Sequence, residues 1–493
     1  MTSQMPVLAQ MIRTNPKVQV RARTTTVPGI DVNAVNGGLT MSNAYLEGNF
    51  GPVAEEVTIT DLEVSGTLPA ALNGRYLRNG PNPVVAPDPL RYHWFTGDGM
   101  LHGLRLEDGR AGWYRNRWVR SAAVLEAMGE PVPEPLVGTF GPNTNVVAHN
   151  GRTFAIVEAG PTPFEMTAEL DTVGPVDFGG TLSQGYTAHP KRDPLTGDLH
   201  AVSYYWGWGN RVDYTVLGAD GRIAHRRSID TTGSPMIHDM SLTERFAVVY
   251  DLPVAFDLDA ATAGSLLPYS WTEGYPARLG LVPRLDGPDA DADVRWIDID
   301  ACYVFHPMNA YDVLDADGHV SAVVLDVVRW DRMFDDGQQG LVGHPSPTLV
   351  RWTVELASGK VHQDLLDDHD LEFPRIDERL VGRRHRYGYS AVNLSGSNGS
   401  PHGGVLRHDV ERGVTEVVDL GAGAGQCEAV FVPSSPGAAE DDGWLLCLTY
   451  AQDTNTSRLV VLHAQDLGGG PVAEVHLPVR VPFGFHGNWV PDA

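Results

Sequence analysis

The chain has 493 residues and carries 36 Lys and Arg against 62 Asp and Glu, a formal net charge of −26. That balance excludes a nucleic-acid partner, which needs clustered cations, and excludes simple electrostatic docking on an anionic membrane. The three cysteines, Cys302, Cys427 and Cys447, form no C-x-x-C pair, so neither a thiolate zinc site nor a disulfide framework is expected.

Residues 1–44 read as an N-terminal arm, expected to be mobile: Thr, Val, Asn and Gly without periodicity. No signal peptide and no apolar run of membrane-spanning length is apparent, which fits a cytoplasmic protein. From about residue 45 to 493, expected to be one domain, short β-like runs alternate with turn signals. GWYRNRWV (112–119) follows an EDGR turn. NVVAHNGRTFAIVEA (145–159) is a hairpin around HNGR, and YTVLGADGRIAHRRS (214–228) is a hairpin on ADGR. ADGHVSAVVLDVVRW, LVRWTVELASGKVHQDLL and GVLRHDVERGVTEVVDL repeat the plan. DG, NG and SG dipeptides between β-rich runs are strong hairpin signals. Only short segments such as 120–129 suit one or two helical turns. The 54 Gly and 35 Pro are spread evenly, which indicates many turns rather than disorder. Many short antiparallel strands over more than 400 residues suggest an all-β propeller of four-stranded blades, with a large sandwich array as the alternative.

Most of the 18 histidines read as solvated or locally bonded imidazoles. Four share another context: YTAHP (His189), MIHDM (His238), VFHPMNAYD (His306) and GFHGNW (His486). Each follows an apolar or strand-like run and meets a turn-former or an acid, which places an imidazole at a strand end. They are too far apart in sequence for one helix or hairpin, but they suit four blades that each send one ligand to the axis. Neutral imidazole serves Fe, Cu, Zn and Ni alike. Such ligands need carboxylates to orient the ring through its other N–H. Candidates in apolar strand contexts are Glu158 (AIVEAG), Glu372 (DLEFPRID) and Glu428 (QCEAVFVP). No G-x-S-x-G, P-loop or H-E-x-x-H occurs.

YLEGNFGPV, LNGRYLRNGPNP, HWFTGDGMLHG, AHPKRDPLTGDLH, IHDM, FHPMNAYD, LEFPRID, EAVFVP and GFHGNWVP follow one another in an order that resembles the carotenoid cleavage oxygenase family. The resemblance covers nearly the whole chain from about residue 44. It implies a seven-bladed β-propeller, under a dome of loops and short helices, with one iron(II) on the axis held by His189, His238, His306 and His486. It also implies partner glutamates at Glu158, Glu372 and Glu428, with His189 the ligand that lacks one, and places Thr144 beside an open coordination position. The implied reaction joins O2 to an apolar alkene and cuts the double bond into two carbonyl products.

Two substrate classes occur in that family. One is carotenoids and apocarotenoids; the other is stilbenes and phenylpropenes bearing a 4-hydroxyphenyl ring. Members that act on stilbenes are similar in placing a Lys just before the first partner glutamate, where this chain has Val157, so the carotenoid class is favoured. Trp94, Phe95, Trp206 and Phe485, together with Tyr205, Trp208 and Trp330, are candidates to line a substrate tunnel. SLLPYSW (265–271), with Leu266, Leu267 and Trp271, is a candidate for peripheral membrane contact, which at this net charge has to be hydrophobic. No protein partner is evident. A double-bond isomerase and a non-catalytic binding propeller are the competing functions; the complete ligand set argues against the second.

Overall fold

The fold was analysed in a computed structural model that describes residues 32–35, 38–41, 43–136, 139–335, 345–395, 401–425 and 427–492. Hairpins dominate because the turns have the right chemistry. Asp108 and Gly109 (φ 48° and 72°) and Asn150 and Gly151 (φ 49° and 69°) adopt the left-handed pairs that tight two-residue turns require. Each reverses the chain between two strands whose side chains alternate between neighbouring layers.

Among the described residues, seven antiparallel sheets of four or five strands form the blades, and two further strand pairs lie outside them. Blade one runs outward from Gly487–Pro491 through Gly74–Pro81, Gly99–Glu107 and Arg110–Trp118 to Thr58–Ile59. The innermost strands of blades two to seven are Asn145–His149, Lys191–Arg192, Ser241–Leu242, Tyr303–Leu314, Leu371–Ile376 and Val430–Pro433. The ring is closed twice. The C-terminal strand Gly487–Pro491 pairs with Gly74–Pro81 inside blade one, and the N-terminal strand Glu63–Gly66 pairs with Pro471–Leu477 on the outside of blade seven. Tyr76, Leu104 and Tyr114 of blade one pack with Leu446, Leu459 and Val475 of blade seven in one buried cluster across the seam. At about 1.5–3 kcal/mol for each large apolar side chain buried, this packing adds substantially to the hydrogen bonds of the closure. Outer strands such as Ile223–Asp230 and Val361–Asp367 are mostly exposed and polar, which keeps their free edges from pairing with another chain.

The propeller and its seven blades match the expectation. Segment 120–129 contains the helix Ala122–Met128, capped by Ser121 and ended by Gly129 at φ 72°. Within the expected arm, Val32–Val35 and Gly38–Met41 pair as a hairpin, an element the unpatterned sequence there did not announce. Over one face lies a cover of connections: the short helical turn Trp94–Thr96, the strand pair Val254–Phe256 and Tyr269–Trp271, and the helix Leu258–Thr262 between them. No helix among the described residues is long and apolar enough to cross a membrane.

Candidate metal centre

Every blade sends at least one side chain to the axis from the start of its innermost strand or the turn beside it. His486 directly precedes the inner strand of blade one, and His189 and His238 precede those of blades three and four. His306 lies within the inner strand of blade five, at an irregularity between Val304 and Pro307 that turns the ring inward. Blade two contributes Thr144 and Glu158, blade six Glu372, and blade seven Glu428.

The four histidines are buried and gather their ligand atoms within 4.8 Å of one another. His238 Nε2 lies 3.1 Å from both His189 Nε2 and His306 Nε2. Three rings are oriented from behind. His238 Nδ1 donates to Glu158 Oε1 at 2.9 Å, His306 Nδ1 to Glu372 Oε2 at 2.6 Å, and His486 Nδ1 to Glu428 Oε1 at 3.0 Å. A carboxylate can only accept, so the proton of each ring sits on Nδ1 and the Nε2 lone pair points inward. Lone pairs facing one another at 3.1 Å repel, and a cation between them removes the conflict. The donor set therefore fits a metal ion, and imidazole nitrogen fits a first-row transition metal.

The carboxylates are held in turn. Glu372 accepts from Trp330 Nε1 and from its own neighbour Phe373 N; Glu428 accepts from Gly487 N and Arg375. Ala159 and Phe373, the residues immediately after two of these glutamates, have φ of 61° and 52°. Non-glycine residues hold that conformation at a cost of about 1 kcal/mol or more, so the turns that aim Glu158 and Glu372 are paid for by the surrounding packing.

Burial, reinforced by the neighbouring rings, holds His189 well below the usual imidazole range. Burial also lowers His306 and His486 against the pull of their glutamates; at His238 burial likewise lowers the ring, but Glu158 with Asp239 and Glu372 together raise it above the ordinary imidazole value. Burial opposes ionisation of Glu428, but Arg375 and then His486 overcome it and hold the carboxyl far below its ordinary value. Among the described residues no glutamate is hydrogen-bonded to His189. Its Nδ1 faces Asp239 at 3.7 Å, and Asp239 binds Lys191 at 2.8 Å. Neither residue was singled out in the sequence.

Two cavities meet at the centre. One, of about 170 Å³, is apolar and lies under the cover. Thr144, His238, His306 and His486 line it, together with Trp94, Phe95 and Phe485. Trp206 does not: it stacks on Phe256 with ring centroids 4.9 Å apart, because the strand ends at Tyr204 and a helical turn carries Trp206 outward. The lining position belongs to Tyr204, and Met236, Phe305 and Phe373 line the cavity without having been foreseen. Val157 lines it too, and no Lys or Arg does among the described residues. Leu266 and Leu267 line the outer part, whereas Trp271 sits away from it under the Arg332 guanidinium. The second cavity, about 900 Å³ on the opposite side of the rings, is lined by His189, Lys191, Asp239, Arg375 and Glu428 among others.

Fold and site together define a β-propeller with a buried four-histidine metal-binding centre on its axis. Residues 50–491 match the family described as retinal pigment epithelial membrane protein. The chain is 47% identical to the carotenoid cleavage oxygenase of Mycobacterium tuberculosis, over 91% of this chain and 98% of that protein. Among solved structures, the lignostilbene dioxygenase of Pseudomonas brassicacearum superposes with a TM-score of 0.81 at 28% identity, covering 91% of this chain and 98% of that one. Cobalt-substituted apocarotenoid oxygenase of Synechocystis gives 0.77 at 26% identity, covering 90% and 97%. The chain belongs to the carotenoid cleavage oxygenase family. It is an enzyme of oxidative carbon–carbon double-bond cleavage, with an apolar alkene and O2 as reactants.

Proposed function

We propose that His189, His238, His306 and His486 hold iron(II) and that the enzyme is a dioxygenase cleaving a carotenoid or apocarotenoid into two carbonyl products. The observation that carries the reading is the set of inward Nε2 lone pairs opening on an apolar cavity free of lining cations. The charge inventory supports a cation. Glu158, Glu372 and Glu428 stand behind three of the rings and supply negative charge that a cation would offset.

Iron(II), when bound, supplies the redox chemistry by which O2 reacts with the alkene. The overall change breaks the C=C bond and places one oxygen atom on each carbon, so no further reductant is needed. The chain does the rest. Phe95, Phe305, Phe373 and Phe485 provide an apolar bed that aligns a flat polyene and excludes water. Thr144 lies against the cavity with its hydroxyl engaged by Asn143 Oδ1 at 3.0 Å, and its backbone carbonyl accepts from His486 N. It is thereby fixed at the wall of the apolar cavity, where it would border a bound metal. Val157 offers a phenol no partner, and a buried unpaired phenol oxygen costs about 1–3 kcal/mol.

A second reading, the same chemistry on a stilbene or phenylpropene, draws on the Tyr204 and Tyr269 side chains in the cavity lining and on the likeness to a lignostilbene dioxygenase. The two readings separate when the iron-loaded enzyme is given β-carotene, apocarotenals, resveratrol and isoeugenol under 18O2, with products analysed by mass spectrometry. Label in both carbonyl products of a polyene supports the first; turnover of aryl alkenes alone overturns it.

The cover also supports peripheral membrane contact. Leu266 is 55% exposed yet lines the cavity, Leu258 and Leu90 are exposed nearby, and Arg91 ties their loops together through Gly264 O. A polyene dissolved in a bilayer would then enter without crossing water. Flotation with neutral phosphatidylcholine vesicles tests this: the protein should rise with the vesicles, and Leu266→Ser with Leu258→Ser should stay behind.

A further inference from the structure

Three of the four histidines are oriented by a glutamate, and the fourth faces a different arrangement. His189 Nδ1 points toward Asp239 Oδ2 at 3.7 Å, and no other carboxylate of the centre faces it. The Asp239 side chain is 3% exposed, and the same oxygen accepts from Lys191 Nζ at 2.8 Å. Its other oxygen accepts from Met240 N at 2.6 Å, which fixes the plane of the carboxylate. Asp239 directly follows one ligand, His238, and Lys191 lies two residues beyond another, His189. One carboxylate oxygen thus stands between an ammonium and an imidazole, at the junction of blades three and four.

We propose that Asp239 is the positioning residue of His189, and that Lys191 weakens it by sharing the oxygen. The inference rests on the reading of the four histidines as a metal centre. A carboxylate stands 3.7 Å behind the ring, so it favours the tautomer with the proton on Nδ1 and leaves Nε2 free to bind the metal. At 3.7 Å the contact is longer than a hydrogen bond, and the ammonium holds half of the carboxylate's capacity. His189 therefore receives less electron density than the three glutamate-backed rings and is the weakest of the four ligands. It is also the ligand that lines the polar cavity and not the apolar one. The centre has one yielding ligand, placed on the side away from the substrate.

The test uses the full-length protein loaded with cobalt(II), whose visible bands report its ligands directly, with release to a chelator followed by absorbance. Asp239→Asn should speed release about 10- to 100-fold, the range expected when a carboxylate behind a ligating histidine is removed. Lys191→Met should act in the opposite direction, slowing release below the unsubstituted rate, because the freed oxygen turns fully to His189. The double variant should release like Asp239→Asn alone. If Asp239 and Lys191 merely clamp the two blades together, both single substitutions speed release alike, and the proposal is overturned. Unchanged release and unchanged bands in Asp239→Asn overturn it as well. Circular dichroism of each variant checks folding, and Asp239→Glu, which keeps the charge, should retain most of the affinity. His189→Ala separates this inference from the one beneath it: a cobalt spectrum untouched by that change would show that the metal does not bind at the four histidines.

Discussion

On one side of the histidines lies a small apolar cavity walled by aromatic rings; on the other lies a larger one walled by Lys191, Arg375, Asp239 and Glu428. His238 lines only the first, His189 only the second, and His306 and His486 line both. The four imidazoles form the partition. Most of the charged groups lie on the polar side, where Asp239 is paired with Lys191 and Glu428 with Arg375, and Glu158 is the one carboxylate among the described residues that borders the apolar cavity. The reacting side stays free of cations, where an unpaired charge would bind water and repel a hydrocarbon. The difference shows how one centre can be electrostatically supported and still dry.

The largest effect should come from breaching the partition. His306→Ala removes a ring shared by both sides, and both metal content, measured by elemental analysis, and turnover should fall to background. Next, Val157→Lys puts the missing cation on the apolar side. Polyene cleavage should drop by roughly 10- to 100-fold as buried charge replaces apolar contact, and any gain on 4-hydroxyphenyl alkenes, read by product analysis, would sharpen the assignment of this position. Glu428→Gln touches only the polar side. Metal affinity should fall by about 10- to 100-fold while the product pattern on the substrate panel stays the same.

The smallest effect tests the scaffold around both cavities. His102, His200 and His385 are buried neutral, with burial lowering them from 6.5 to about 3, about 4 and about 4. Their folded pKa values lie below the unfolded one, so between pH 6.5 and about 4 the unfolded chain binds more protons than the native chain. Stability contributed by these groups is full above pH 6.5 and is lost as pH falls through that window. The melting temperature of the metal-free protein should decline steadily from pH 6.5 toward pH 4, a slope that a His200→Gln variant should flatten.

Much of this arrangement is legible in the sequence because the chemistry sits in local signatures. Turn dipeptides mark the hairpins, and each of the four clustered histidines sits where an apolar run meets a turn. What is not legible depends on registers that no local pattern encodes. Asp239 and Lys191 stand inside the very segments that reveal His238 and His189, yet their meeting requires blades three and four to be adjacent. Trp206 looks as good a lining residue as Phe485, but alternation ends at Tyr204 and turns it outward. The outer closure by Glu63–Gly66 was equally hidden, since its four residues carry no signal for a partner some 400 positions away. His344, counted among the ordinary histidines, lies outside the described residues.

The inner closure has a consequence for the order in which the molecule is made. Gly487–Pro491 is the strand that locks blade one, and His486 is the residue just before it. The ligand set is thus completed by the same few residues that shut the ring. A nascent chain emerging N-terminus first presents three histidines long before the fourth, and the fourth arrives only as the final strand slots into place. On the proposed reading, a metal held by all four histidines is fully enclosed only once this strand has paired, and a chain that fails to close lacks the fourth ligand.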